Sequence, residues 1–150
     1  MSGEALFVER WGEGPPVVFL HGLGGSARYW QRVREASDGY AGLAPDLLGF
    51  GRSPSPADAP YDVDGHLATL VPLIPPASLL VAHSTGGVLA AAIAARHPDR
   101  LRALVLVGLP AFPDEATARR EVGRLGLLAR LTVDGSRWAK MLCGAMCRLR

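Results

Sequence analysis

Short apolar runs recur along the chain, each broken by glycine, proline or a charged stretch. Leu6–Arg10 (LFVER) predicts a short strand. Val17–Leu20 (VVFL), entered from Pro15-Pro16, predicts a buried one. Ala41–Leu47 predicts a third, Leu79–Ala82 (LLVA) a fourth, and Leu101–Val107 (LRALVLV) a fifth. Between them lie helical patterns at about 27–36, 62–73 and 88–96, the last ended by the His97-Pro98 step. The stretch GRSPSPADAP is a loop by composition. Strands alternating with helices predict an α/β chain, a mostly parallel sheet with helices on both faces. Apolar runs without strict alternation fit strands covered on both sides. From Pro113 onward the pattern changes to one or two amphipathic helices, with Leu125, Leu127, Leu128 and Leu131 in the first.

Composition narrows the classes. The chain has 150 residues, 49% hydrophobic and 20% charged, with 18 Gly and 12 Pro, which excludes a disordered acidic chain, a coiled coil and a collagen-like repeat. Net charge is only +2, too small to argue for nucleic acid. The tail from Pro113 holds eight basic and four acidic residues, so the rest is slightly acidic. Lys140 is the one lysine among 16 basic residues, which reads as a codon bias. No apolar run reaches the ~20 residues that span a bilayer, and the N-terminus lacks the pattern of a signal peptide, so a cytoplasmic protein is expected. Cys143 and Cys147, four apart on a helical pattern, are read as buried thiols, with no disulfide scaffold and no metal implied.

Three segments carry chemistry. In LLVAHSTGGVLAAAIAA a strand runs through Ser84 directly into a helix. Ala82 and Gly86 flank the serine at −2 and +2, where a sharp turn leaves no room for larger side chains. Such a turn strains the serine, exposes its hydroxyl and places it at the positive end of the helix. The bland alternative is a Ser/Thr cap in a glycine-rich turn. In VVFLHGLGG a strand ends at His21-Gly22, and its loop lies at the same sheet edge. The N–H groups of Leu23 and Thr85 could then form an oxyanion hole. In APDLLGFGRS, Asp46 ends a strand and a glycine-rich turn faces that edge again.

These motifs, in this order and spacing over residues 6–112, resemble the α/β-hydrolase superfamily. The resemblance implies Ser84 as nucleophile and Leu23 and Thr85 as oxyanion donors. His21, Gly22, Asp46, His83, Gly86, Gly49 and Arg52 are implied as supports. It implies hydrolysis of an ester or related acyl bond in a small apolar substrate, with no metal or organic cofactor. Carbon–carbon hydrolysis and perhydrolysis use similar motifs and stay open. One departure is Ala82, where the family's elbow usually has Gly. A serine at position 84, in place of Asp, argues against the epoxide hydrolase and haloalkane dehalogenase branches.

The family's mechanism also needs an acid and then a histidine base. The chain has four histidines, His21, His66, His83 and His97. His97 stands roughly 20 Å from Ser84 along a helix. His83 should point away from it, and His66 is read on a surface helix. Asp114 could serve as acid in some branches. Residues 1–112 are thus expected to be the N-terminal part of the core and 113–150 the beginning of a helical cap. The chain would then stop inside the cap, as a truncated reading frame does. The Leu101–Val107 edge should be exposed, open to self-association. Two other readings exist. One is a non-catalytic chain that binds an apolar ligand or partner. The other is a dinucleotide-binding domain, from Gly22-x-Gly24-x-x-Ala27 and Asp46.

Overall fold

A computed structural model describes residues 5–36 and 38–124. The chain divides into two units, Met1–Leu109 and Pro110–Arg150. Of the second unit only residues 110–124 are described, and they hold helix α4 (Glu115–Arg124). Leu125, Leu127, Leu128, Leu131, Cys143 and Cys147 lie outside the described residues.

In the first unit the strands are β1 (Val8–Trp11), β2 (Pro16–Leu20), β3 (Ala41–Pro45), β4 (Ser78–His83) and β5 (Leu101–Val107). The helices are α1 (Gln31–Glu35), α2 (Val63–Leu70) and α3 (Thr85–Arg96). A single 3-10 turn, Ala27–Trp30, leads into α1, and another, Val71–Leu73, follows α2. The sheet order is β1-β3-β2-β4-β5. Pairing is parallel except at β1, which runs antiparallel to β3.

The register explains the two-layer cover. Val18 and Leu20 of β2 pair with Leu80 and Ala82 of β4, and all four turn to the core built with Leu67, Leu70, Leu89, Ala90 and Ile93. Their odd-numbered neighbours Val17 and Phe19 turn the other way, against Ala27, Trp30 and Ala44. Side chains on a strand alternate between faces, so a continuous apolar run needs helices on both.

At β3 the second face is closed by an aromatic group. A Cβ on Gly42 would fall inside the indole of Trp11, its cross-strand partner. That indole stacks on Phe19 at 5.4 Å, and Phe19 meets Trp30 at 5.2 Å.

The strand at Leu101–Val107 stands at the sheet edge, as expected from sequence. Val105 is 43% exposed and Val107 46%. Among the described residues its outer side has no partner strand.

Candidate active site

β2 and β4 are adjacent and parallel, so the loops leaving their C-terminal ends rise side by side. β2 delivers His21-Gly22-Leu23, and β4 delivers His83-Ser84. The two segments touch at Gly22. A Cβ there would sit 3.0 Å from the Ser84 Cβ and 3.1 Å from His83 Nδ1. A side chain at this position would be tight against the serine.

Ser84 has φ 52° and ψ −120°. This is costly for a residue with a Cβ, on the order of 1–3 kcal/mol. Backbone bonds hold the conformation. The Ser84 N–H donates to Val107 O at 2.9 Å, and Ser84 O accepts from the Gly87 N–H at 2.8 Å. α3 starts at once with Thr85, whose N–H stands at a position with no intrahelical acceptor. Ala82, at the small −2 position, is fully buried.

His21 is buried and fixes the neighbouring loop. Its Nδ1 bonds to Gly22 O at 2.8 Å, and its Nε2 accepts from the Leu47 N–H at 3.0 Å. The Gly25 N–H also donates to Gly22 O. A trans peptide carries its N–H opposite its C=O. Clamping the Gly22 carbonyl therefore turns the Leu23 N–H outward, where it meets no backbone acceptor among the described residues.

Asp46 locks this loop to the next. It is fully buried and accepts from the Ala27 N–H at 2.6 Å and the Arg52 N–H at 2.7 Å. Its backbone carbonyl accepts from Ser53 Oγ, which in turn accepts from the Phe7 N–H. Ser53 was not singled out from sequence. Its place in the DLLGFGRS turn was the available signal.

This arrangement disposes of the dinucleotide reading. Asp46 is spent on backbone N–H groups and offers no free carboxylate to a ribose. Gly22–Ser26 lead into one 3-10 turn and a five-residue helix, too short for a phosphate site at a helix N-terminus.

None of the four histidines bonds to the Ser84 side chain. His83 stacks on Tyr29 with centroids 4.7 Å apart. His97 caps the far end of α3. His66 corrects the expectation of a surface position: it faces the core at 8% exposure, with Nδ1 enclosed and unpartnered among the described residues. Its place in α2, opposite the exposed Asp64 face, follows from the Leu67 and Leu70 periodicity. Asp114 caps α4: its carboxylate accepts from the Thr117 N–H at 2.7 Å and from Thr117 Oγ at 3.2 Å. These bonds hold its carboxyl below the usual value.

Burial pushes the imidazoles of His21 and His66 below their ordinary pKa of 6.5. The native state takes up protons on these two rings less readily than the unfolded chain, whose histidines protonate as pH falls through about 6.5. Between the unfolded and native values the unfolded state binds more protons, so stability falls with falling pH. Chemical denaturation should show a midpoint that is flat above about pH 7.5 and drops below about 6.5, by up to one proton per histidine. A midpoint that rises from pH 7 to 5.5 would exclude this linkage.

Among the described residues no group of three His, Cys, Asp or Glu could hold a metal, and no helix is long and apolar enough to cross a membrane.

Known hydrolases are similar to this chain. The chain is 37% identical over 116 residues to an epoxide hydrolase of Caballeronia sordidicola, covering 73% of this chain and 35% of that one. It is 37% identical over 123 residues to the lipase LipV of Mycobacterium tuberculosis (strain ATCC 25618 / H37Rv), covering 78% and 46%. A solved thioesterase domain from the curacin biosynthetic pathway superposes with a TM-score of 0.66 and 32% identity, over 79% of this chain and 45% of that one. The chain thus spans under half the length of each. The model of the alpha/beta hydrolase fold matches residues 15–130. The chain belongs to the α/β-hydrolase fold family.

Proposed function

We propose that this chain carries the nucleophile and the oxyanion hole of a hydrolase acting on ester or related acyl bonds. The observation that carries the reading is Ser84 at φ 52°, held against Gly22 at the head of α3. Strain of this kind persists only where surrounding bonds over-determine it, and it gathers at functional sites. Serine at this position, in place of a carboxylate, favours acyl transfer over the epoxide chemistry of one relative.

The Ser84 Oγ attacks the carbonyl carbon, and the oxygen takes up negative charge. Among the described residues the N–H groups of Leu23 and Thr85 meet no backbone acceptor, and they stand on the two segments that meet at Gly22. A donor aimed at a developing oxyanion is worth about 3–4 kcal/mol. The leaving alcohol departs, an acyl-serine remains, and water releases the acid. The serine proton must pass to a base outside the four histidines of this chain. Residues from Pro113 onward are read as the beginning of a cap, whose leucine-rich sequence suits an apolar substrate.

A fluorophosphonate probe, applied in excess over long incubation and mapped by mass spectrometry, should label Ser84. Ser84→Ala should remove that label. Labelling at a different residue, or equal labelling of Ser84→Ala, would exclude the assignment.

A further inference from the structure

Tyr29 sits on the 3-10 turn that follows the Gly22–Ser26 loop. It is 52% exposed. One side of its ring stacks on His83, with centroids 4.7 Å apart and planes at 19°. It also meets Trp30 in a T-shaped contact at 4.9 Å and 86°. Trp30 is itself buried. The Tyr29 hydroxyl makes no hydrogen bond among the described residues, so ring contacts alone hold the side chain. Tyr61, also exposed, differs: its hydroxyl donates to Pro56 O at 2.6 Å and its ring packs over Gly49.

The backing residue is next to the serine. His83 directly precedes Ser84, and both crowd the Gly22 position. Beyond His83 its parallel partner Val107 continues on the same face, 46% exposed. The result is a half-exposed aromatic ring stacked on the residue that directly precedes the strained serine, with an apolar side chain on the same face. A ring already immobilised loses little freedom when a second flat group stacks on it.

We propose that Tyr29, backed by His83, is a specificity surface of this site and selects a planar aromatic or conjugated group in the ligand over a saturated one. Calling that ligand a substrate rests on the reading of Ser84 above; the binding preference itself does not. Offset stacking of two rings adds attraction beyond apolar area, which corresponds to about a fivefold difference in Kd between planar and saturated partners of equal size.

The test uses the 150-residue chain with Ser84→Ala, so that no turnover interferes. Methyl benzoate and methyl cyclohexanecarboxylate are titrated in turn and followed by NMR. Methyl benzoate should bind about fivefold more tightly and move the ring protons of Tyr29 and His83 by ring current. Tyr29→Phe should keep the preference, and Tyr29→Leu should abolish it, each with the amide spectrum of the parent fold. Equal affinities, a preference that survives Tyr29→Leu, shifts confined to other residues, or binding of neither ester would overturn the proposal. If fluorophosphonate labels a residue other than Ser84 while the preference persists, the nucleophile reading fails and the specificity surface stands.

Discussion

Ser84 in the 150-residue chain is expected to react with a fluorophosphonate about 10⁴-fold more slowly, or slower still, than the serine of a complete Ser-His-acid triad. Removing the base of such a triad costs rate factors of this order or larger, while oxyanion donors and binding keep a residual rate above water. All four histidines are placed, and each is committed elsewhere. His21 uses both ring nitrogens on backbone groups. His66 belongs to α2 and faces the core. His83 is stacked on Tyr29, and His97 closes the opposite end of α3. With no imidazole on Oγ, the labelling rate should climb with pH through hydroxide and show no plateau near neutrality. A sigmoidal profile with a midpoint near pH 6–7 would reveal a histidine base that the structure does not place there.

Gly86→Ala should be strongly destabilising to the first unit. The added Cβ would stand 2.5 Å from His21 O and 2.8 Å from Leu20 O. Both are backbone carbonyls at the end of β2, and neither can rotate aside. Overpacking of this kind costs about 3 kcal/mol or more, equivalent to a fall in Tm of roughly 10 °C. Gly87→Ala is the natural control. Its Cβ would meet the tips of Leu109 and Leu106, at 3.1 and 3.6 Å, which can shift, and no backbone atom nearer than the Leu109 Cα at 3.9 Å, an ordinary contact. Thermal unfolding of the two variants side by side settles the matter. Equal stability would mean that α3 can lift from β2, and that the close approach at Gly86 is not what sets the turn.

Much of this was readable along the chain, for identifiable reasons. The apolar runs at 17–20 and 79–82 announced buried parallel strands because a two-sided cover demands side chains that are apolar on both faces, and the run at 101–107 announced a strand whose edge is exposed. The small residues around Ser84 announced the turn because larger ones have no space there. The antiparallel direction of β1 was not readable, since LFVER has the same pattern in either direction and pairing is decided by β3. The helix expected over 27–36 begins as a 3-10 turn, because the Ala27 N–H is drawn to Asp46, nineteen residues away. The depth of His66 was also hidden. Its helix reads as amphipathic, but a histidine belongs plausibly to either side of such a helix. The Tyr29–His83 stack depends on two segments more than fifty residues apart and leaves no local signature.

The strand order β1-β3-β2-β4-β5 has one more consequence. After β2 the chain turns toward β3, and after β4 it turns toward β5, in opposite directions. Between two connections that diverge, a crevice opens that neither crosses, which is where ligands settle on open parallel sheets. The crevice is thus made by topology before any side chain is chosen. On the reading proposed above, Leu23 and Tyr29 stand on one side of it and Ser84 on the other, so a change of ligand preference need not touch the turn at Ser84.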